Sequence, residues 1–335
     1  MTSYKLTWRP HSAYSTQLQS DTIFGHLCWA VSYLFDDNNA KLLSLLSELE
    51  RQPVLRLSSA FVQGKLPKPA CSLKHEALSR LSDQLRQEFD WLDDFTVYSL
   101  QKKARQEPYV TVQSLVEKAF VYDLEDQHYA WLLEHARQEL ARREHHTDVK
   151  DKPRIERSLE FHNRIDRLSG TTGNFGELFA SPVVYSELCF ESYLETDFFS
   201  EDELRQIFRH ISQTGFGKDK STGKGRFEIE LEPHNWGDCP QFNAYLNLSN
   251  MVPAANDPLL VAYDSGTKFA KLGGDYATTA TPFKYPLYMF HPGAVFFVRD
   301  QSERPTGSML KNVHPDPRIV QNLYSYNIPI YVKGS

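Results

Sequence analysis

The chain changes its hydrophobic period across one glycine-rich stretch, and that change constrains the fold more than any other feature. Residues 201–212, EDELRQIFRHIS, follow Ser200, whose hydroxyl suits a helix N-cap, and they read as a helix. Residues 226–232, RFEIELE, alternate Phe227, Ile229 and Leu231 with polar side chains, the period of a strand. Between them lies TGFGKDKSTGKG, with glycines at Gly215, Gly217, Gly223 and Gly225. A Walker A loop needs GxxxxGK[ST], but the Gly217 to Gly223 interval is one residue too long and Gly225 follows Lys224. A Rossmann GxGxxG fails because Lys220 stands at the third glycine. Both of those loops also run from a strand into a helix, whose N-terminus meets the phosphate. Here the order is reversed. An anion would be held instead by backbone N–H groups freed by glycine conformations and by Lys218, Lys220, Lys224 and Arg226. A flexible, solvated helix-to-strand connection is the alternative that the residues leave open.

The rest of the chain places this loop in a larger order. TSYKLTW reads as a strand, and Ser20 or Asp21 can cap a helix that runs to about Phe35. Ile23, Leu27, Ala30 and Leu34 form its apolar stripe, widened by Phe24, Val31 and Phe35. LRLSSAFV and SPVVYSELCF read as further strands. From about 75 to 150 the chain is charged and leucine-rich, with Leu78, Leu81, Leu85, Phe89 and Leu92 at helical spacing, and this block reads as a helical insertion. With it set aside, the first 235 residues run strand, helix, strand, strand, helix, strand, the ferredoxin-like order also used by RNA-recognition modules. From 236 to 335, AYLNL, LLVAY, AVFFV and LYSYNIPIYV predict a second, β-rich domain.

Charge narrows the partners. The 335 residues carry a net charge of -6, which argues against a protein that coats nucleic acid through a general positive field. Between Thr214 and Arg226, however, four cations face only Asp219. Any nucleic-acid contact is therefore expected to be local. The four cysteines are far apart in the chain and predict buried free thiols rather than disulfides or a zinc site. No apolar run approaches the roughly 20 residues of a membrane span, and the N-terminus has no signal-like stretch, so a cytoplasmic protein without membrane contact is expected.

Several partial motifs fail on inspection. LGGDYA at 272–277 resembles a GGDD palm motif, but Tyr276 removes the second carboxylate, and a glycine turn accounts for it better. KHEALS begins like a zincin helix, yet Ser79 stands at the second histidine. His145 and His146 are adjacent and so point to different helix faces. No metal or cofactor site is expected. His11, His26 or His162 could serve a metal-independent ribonuclease as general acid or base, although His26, on a mostly apolar helix, reads better as a satisfied interior histidine.

A family resemblance accounts for more of these features together. SDTIFGHLCWA at 20–30, LPKP at 66–69, HNRIDRLSGTTGNFGELF at 162–179, TGFGKDKSTGKGRFE at 214–228, SGTKF at 265–269 and the final YSYNIPIYV resemble, in that order, the Cas5-like RAMP subunit of type III-A (Csm) CRISPR effector complexes. The resemblance implies an α+β chain of two ferredoxin-like (RRM-like) domains in tandem. Domain 1–235 would carry the helical insertion at about 75–150 and an RNA-contacting hairpin at about 155–182, and 236–335 would form the second. It implies a non-catalytic subunit that binds the crRNA 5′ handle, joins the Cas10-type large subunit to a Cas7-like backbone subunit, and meets target RNA only indirectly. Carried over by position, Gly215, Gly217, Lys218, Lys220, Ser221, Thr222, Gly223, Lys224, Gly225 and Arg226 would grip the handle. His162, Asn163, Arg164, Arg167, Thr171 and Thr172 would lie at the handle–spacer junction.

From the residues themselves, Arg164 and Arg167 suit phosphates, and Asn163 and the threonines suit base edges or a 2′-OH; an Arg–Asp network through Asp166 is the alternative. The family's loop often reads GxGGKxSxGxG; here Lys218 and Asp219 replace its Gly-Lys pair, leaving open which lysine meets phosphate. A precursor-crRNA endonuclease of the Cas6-like class, or the equivalent subunit of a type III-B or III-D complex, are the rival readings.

Overall fold

The computed structural model describes residues 1–35, 38–145, 155–163 and 178–334. They form an α+β protein with seven α-helices and several antiparallel sheets. They divide into two compact units. Unit 1 is drawn from residues 1–63, 152–234 and 273–277, and unit 2 from 64–151, 235–272 and 278–335.

The sheet of unit 1 has the strand order Phe227–Pro233, Thr2–Pro10, Phe190–Thr196, Leu55–Leu57, all antiparallel, with the short Phe61–Val62 also paired to Phe190–Thr196. Along Thr2–Pro10 the side chains alternate, and Tyr4, Leu6 and Trp8 are buried on one face. On the other face the Lys5 ammonium lies 2.7 Å from Glu232 and 3.6 Å from the buried Glu191. The helices Ser20–Leu34 and Glu201–Thr214 pack against each other. Trp8 is fully buried, with its ring edge-on to Phe208 of the second helix at 6.2 Å. The Trp8 indole N–H donates to Ser192 Oγ at 2.9 Å, which removes the cost of burying it.

The Ser200 cap is present as expected, and as a reciprocal box. Ser200 Oγ accepts from Glu203 N, and the Glu203 carboxylate accepts from Ser200 N. The first helix differs from expectation. Its N-cap is Gln19, which makes no side-chain cap bond, and the N–H of Ser20 is satisfied instead by Ser59 Oγ from a distant segment. Two expected strands are each broken in two. LRLSSAFV turns at 58–60, where Ser58 Oγ accepts from Tyr193 N, and SPVVYSELCF turns at 187–189, so that Phe190 starts a new strand.

The helical block does not group with unit 1. Helices His75–Glu88, Asp94–Gln106, Val112–Glu117 and Leu124–His145 lie in unit 2. The physical reason is a strand inside the block: Val121–Asp123 pairs in parallel with Tyr331–Lys333 and so extends the sheet of unit 2. That sheet has the order Val261–Ala262, Val295–Phe297, Ala244–Asn247, Asn327–Lys333, Val121–Asp123. Met251, Ala294 and Phe296 form a buried cluster beside it, joined by Val261 and Phe290. Within the helical block a buried polar chain crosses the interior. The His128 ring nitrogen meets Gln101 Oε1 at 2.7 Å, and Gln101 Nε2 donates to Leu78 O and Ser82 Oγ. All four cysteines are free, as expected, but none is fully buried.

Candidate nucleic-acid interface

The glycine loop of unit 1 is built from the helix Glu201–Thr214 toward the strand Phe227–Pro233, and most of its backbone donors are already used. Phe216 N donates to Gly225 O, Gly217 N to His26 Nε2, Lys218 N to Thr16 Oγ1, Gly225 N to Ala13 O, and Arg226 N to Ser12 Oγ, each at 2.8–3.0 Å. Thr222 N, Gly223 N and Lys224 N bond within the loop. The expectation that glycines free these donors therefore needs correction. Among the described residues, only the successive N–H groups of Asp219, Lys220 and Ser221 are left without a partner.

The glycines act through close approach. At Gly225, φ is +66° and a Cβ would lie 2.0 Å from Phe216 O; at Gly217, φ is +79° and a Cβ would lie 2.4 Å from Thr16. Phe216, fixed between them, is buried against Trp8 and stacks on His26 at 4.3 Å. Burial, and then the Lys220 ammonium, push the His26 imidazole down to about 4, so at neutral pH its Nε2 lone pair is available to Gly217 N–H. His26 is thus the satisfied interior histidine that its apolar helix suggests.

The four loop cations are not equivalent. Lys224 is 12% exposed and its ammonium lies 2.5 Å from the Glu160 carboxylate. The Lys224 ammonium, against the opposing effect of burial and helped by the Tyr185 hydroxyl, holds Glu160 below the usual carboxylate range. Lys218 donates to Ser181 Oγ at 3.0 Å and lies 3.9 Å from Asp219. The Arg226 guanidinium donates to Gln213 O at the end of the preceding helix. Lys220 has no acidic partner among the described residues, and its stem lies beside Gly215, whose added Cβ would be 3.1 Å from Lys220 Cβ. Ser221, Thr222 and Gly223 are exposed around it.

Glu160 and Ser181 belong to an antiparallel hairpin, Ile155–Asn163 paired with Leu178–Ser186. Val184 bridges to Tyr14, so the hairpin base, the 11–16 segment and the glycine loop form one assembly. Phe161 and Phe179 are exposed along the hairpin, and the His162 ring stacks on Phe179 at 5.2 Å. Asn163 ends the first strand. Arg164, Arg167, Thr171 and Thr172, with Asp166, lie outside the described residues. Sequence reasoning missed Ser12, Thr16, Glu160 and Ser181, which fix the loop. Nothing local marks them, because each lies 37 or more residues from its loop partner. The LGGDYA stretch is a short 3-10 helix, Gly274–Thr278; a Cβ on Gly274 would lie 2.4 Å from the Trp29 ring.

No helix among the described residues is long and apolar enough to cross a membrane. Among the described residues, no group of three or more His, Cys, Asp or Glu side chains could hold a metal ion.

No protein-family model matches the chain, and no curated protein matches it. Solved structures match along its whole length. A chain of the Csm1-Csm4 cassette in complex with pppApA superposes with a TM-score of 0.55 at 13% identity, covering 100% of both chains. The cassette in complex with AMPPNP gives 0.54 at 15% identity and 99% of each chain. The Csm3-Csm4 subcomplex of the type III-A CRISPR-Cas interference complex gives 0.52 at 11% identity, covering 98% of this chain and 99% of that one. Csm4 is common to both assemblies, and the chain accordingly has the fold of the Csm4 subunit found in them.

Proposed function

We propose that the chain is a non-catalytic subunit of a type III CRISPR effector complex whose unit 1 holds the 5′ handle of crRNA. One observation carries this reading. Among the described residues, the Lys220 ammonium has no acidic partner and three consecutive N–H groups beside it are unbonded, on a loop whose other donors are tied down, in a protein of net charge -6. Such a preorganised cluster of donors matches the oxygens of successive phosphates. The exposed aromatics of the adjoining hairpin add stacking surface for unpaired bases. The likeness to chains solved with Csm1 and with Csm3 supports a Cas10-type large subunit and a Cas7-like backbone subunit as partners, with target RNA met only indirectly. The strand orders of the two sheets support reading both units as ferredoxin-like, the second without helical crossovers.

The test is a salt titration of handle RNA binding to the full chain. Each phosphate contact on a single strand contributes about 0.7 to the log–log salt slope. Replacing Lys218 and Lys220 together by Ala is expected to lower the slope by about 0.7, the share of Lys220, because Lys218 is already engaged by Ser181 and Asp219. Lys224→Ala is expected to lower it less, because Glu160 already neutralises that cation. A slope unchanged in the double variant refutes the assignment. Incubation with repeat RNA without metal is expected to give no discrete cut; a cut lost in His162→Ala would favour the endonuclease.

A further inference from the structure

The first helix of unit 1 carries an aromatic face that the phosphate-binding reading does not use. His26, Trp29 and Tyr33 recur at helical spacing, so the face that touches the glycine loop at His26 continues along the helix. Trp29 and Tyr33 are stacked, with centroids 5.7 Å apart and planes 24° apart. Tyr33 also meets His210 of the second helix at 5.9 Å. Tyr33 is nevertheless 56% exposed, far more than a ring that serves the core. Trp29 is braced from behind, because the close approach of its indole is possible only where Gly274 has no Cβ.

The electrostatic setting selects an occupant. Asp21, the one acidic side chain of Ser20–Leu34, is buried in the first turn, away from these rings. On the second helix the acidic residues occupy the first turn, whereas Arg209 and His210 lie near its end. The Lys220 stem lies beside Gly215, the C-cap of that helix, which sets the loop cation at the end of the helix that carries His210. A protein partner would gain from the apolar area alone. A flat aromatic surface near a cation and N–H groups that have no partner among the described residues suits a ligand whose stacked rings are joined by anionic links.

We propose that Trp29, Tyr33 and His210 form a stacking platform for unpaired RNA bases, continuing the path of a strand whose phosphates sit at Lys220. The proposal rests on the RNA reading of the glycine loop. Stacking accepts any base, so the platform adds affinity and direction without selecting sequence.

The test uses the full chain, a short single-stranded RNA carrying the handle, and the same strand with abasic riboses. Tyr33→Ala is expected to weaken binding at least about fivefold, the lower end of what one lost base–aromatic stack produces. Tyr33→Phe is expected to keep wild-type affinity, and neither variant is expected to change the salt slope, because stacking releases no counterions. With abasic RNA, wild type and Tyr33→Ala are expected to bind equally. Because Tyr33 is exposed, its truncation leaves the core intact, and an unchanged melting temperature checks this. If Tyr33→Ala binds as wild type while Lys220→Ala lowers the slope, the platform is overturned, the loop reading stands, and the face is left to a protein contact. If Lys220→Ala also leaves the slope unchanged, both readings fall.

Discussion

The sheets of the two units share a strand order but differ in what joins the strands. In unit 1 the edge strand Leu55–Leu57 follows the helices Ser20–Leu34 and Ala40–Leu49, the edge strand Phe227–Pro233 follows Glu201–Thr214, and Ser20–Leu34 packs against both of the other helices. In unit 2 the corresponding strands Val261–Ala262 and Asn327–Lys333 are reached through irregular chain and short hairpins, with no α-helix among the described residues between 244 and 333. Antiparallel pairing and burial of a central strand therefore suffice for this order, whatever covers the sheet. Only unit 1 carries the basic glycine loop on its last connection. The same connection in unit 2 has one glycine, Gly307, and charges of both signs. The candidate site is a property of the connection rather than of the sheet.

Core truncations should show the largest effects and the most similar ones. Trp8→Ala in unit 1 and Phe296→Ala in unit 2 each remove a fully buried ring and are expected to cost about 3–5 kcal/mol by urea unfolding. A cost below about 1 kcal/mol for either would break the parallel between the two sheets.

Glycine replacements should separate the units by function. At Gly225 and at Gly307 an added Cβ would meet backbone, Phe216 O at 2.0 Å and Leu323 O at 2.4 Å, both at positive φ. The left-handed backbone alone costs roughly 1–2 kcal/mol, and the collision adds to it. Only Gly225→Ala is expected to weaken handle RNA binding as well. Gly223→Ala, at φ +92° with nothing within 4 Å, should show the backbone cost alone, about 1–2 kcal/mol, in the same unfolding assay.

The smallest effect at neutral pH concerns one histidine in each unit. His26 and His128 are both held at about 4, mainly by burial, against 6.5 for a free imidazole. Between pH 6.5 and 4 the unfolded chain binds protons that the folded chain does not, so stability falls as pH drops through this window and is insensitive to these groups above it. His26→Gln and His128→Gln should each flatten the pH dependence of the urea midpoint between about pH 5 and 6, with no effect on its slope above pH 7. An equal pH slope in wild type and both variants would show that neither ring is held neutral.

Much of the local structure was legible in the residues. Ser200 with Glu203 marks the start of the second helix, and the alternation of Phe227, Ile229 and Leu231 marks the last strand of the first sheet. Both signals are local, within four or five residues of the feature that they predict. The grouping of the helical block was not legible, because Val121–Asp123 is too short to show a period and its partner lies some two hundred residues further on. The breaks at 58–60 and 187–189 were hidden for a similar reason: Ser58 and Ser59 satisfy N–H groups on Tyr193 and Ser20, and no local pattern announces such bonds.

The glycine loop divides in the same way. The amino-acid sequence by itself determined that a helix enters the loop and a strand leaves it, and that glycines stand where the backbone turns left-handed, because period and glycine conformation are properties of a few neighbouring residues. Only the tertiary structure decided which cations remain available. Lys224 is closed off by Glu160 and Lys218 is tied to Ser181, while Lys220 has no acidic partner among the described residues, since a charge pairs with what is near it in space.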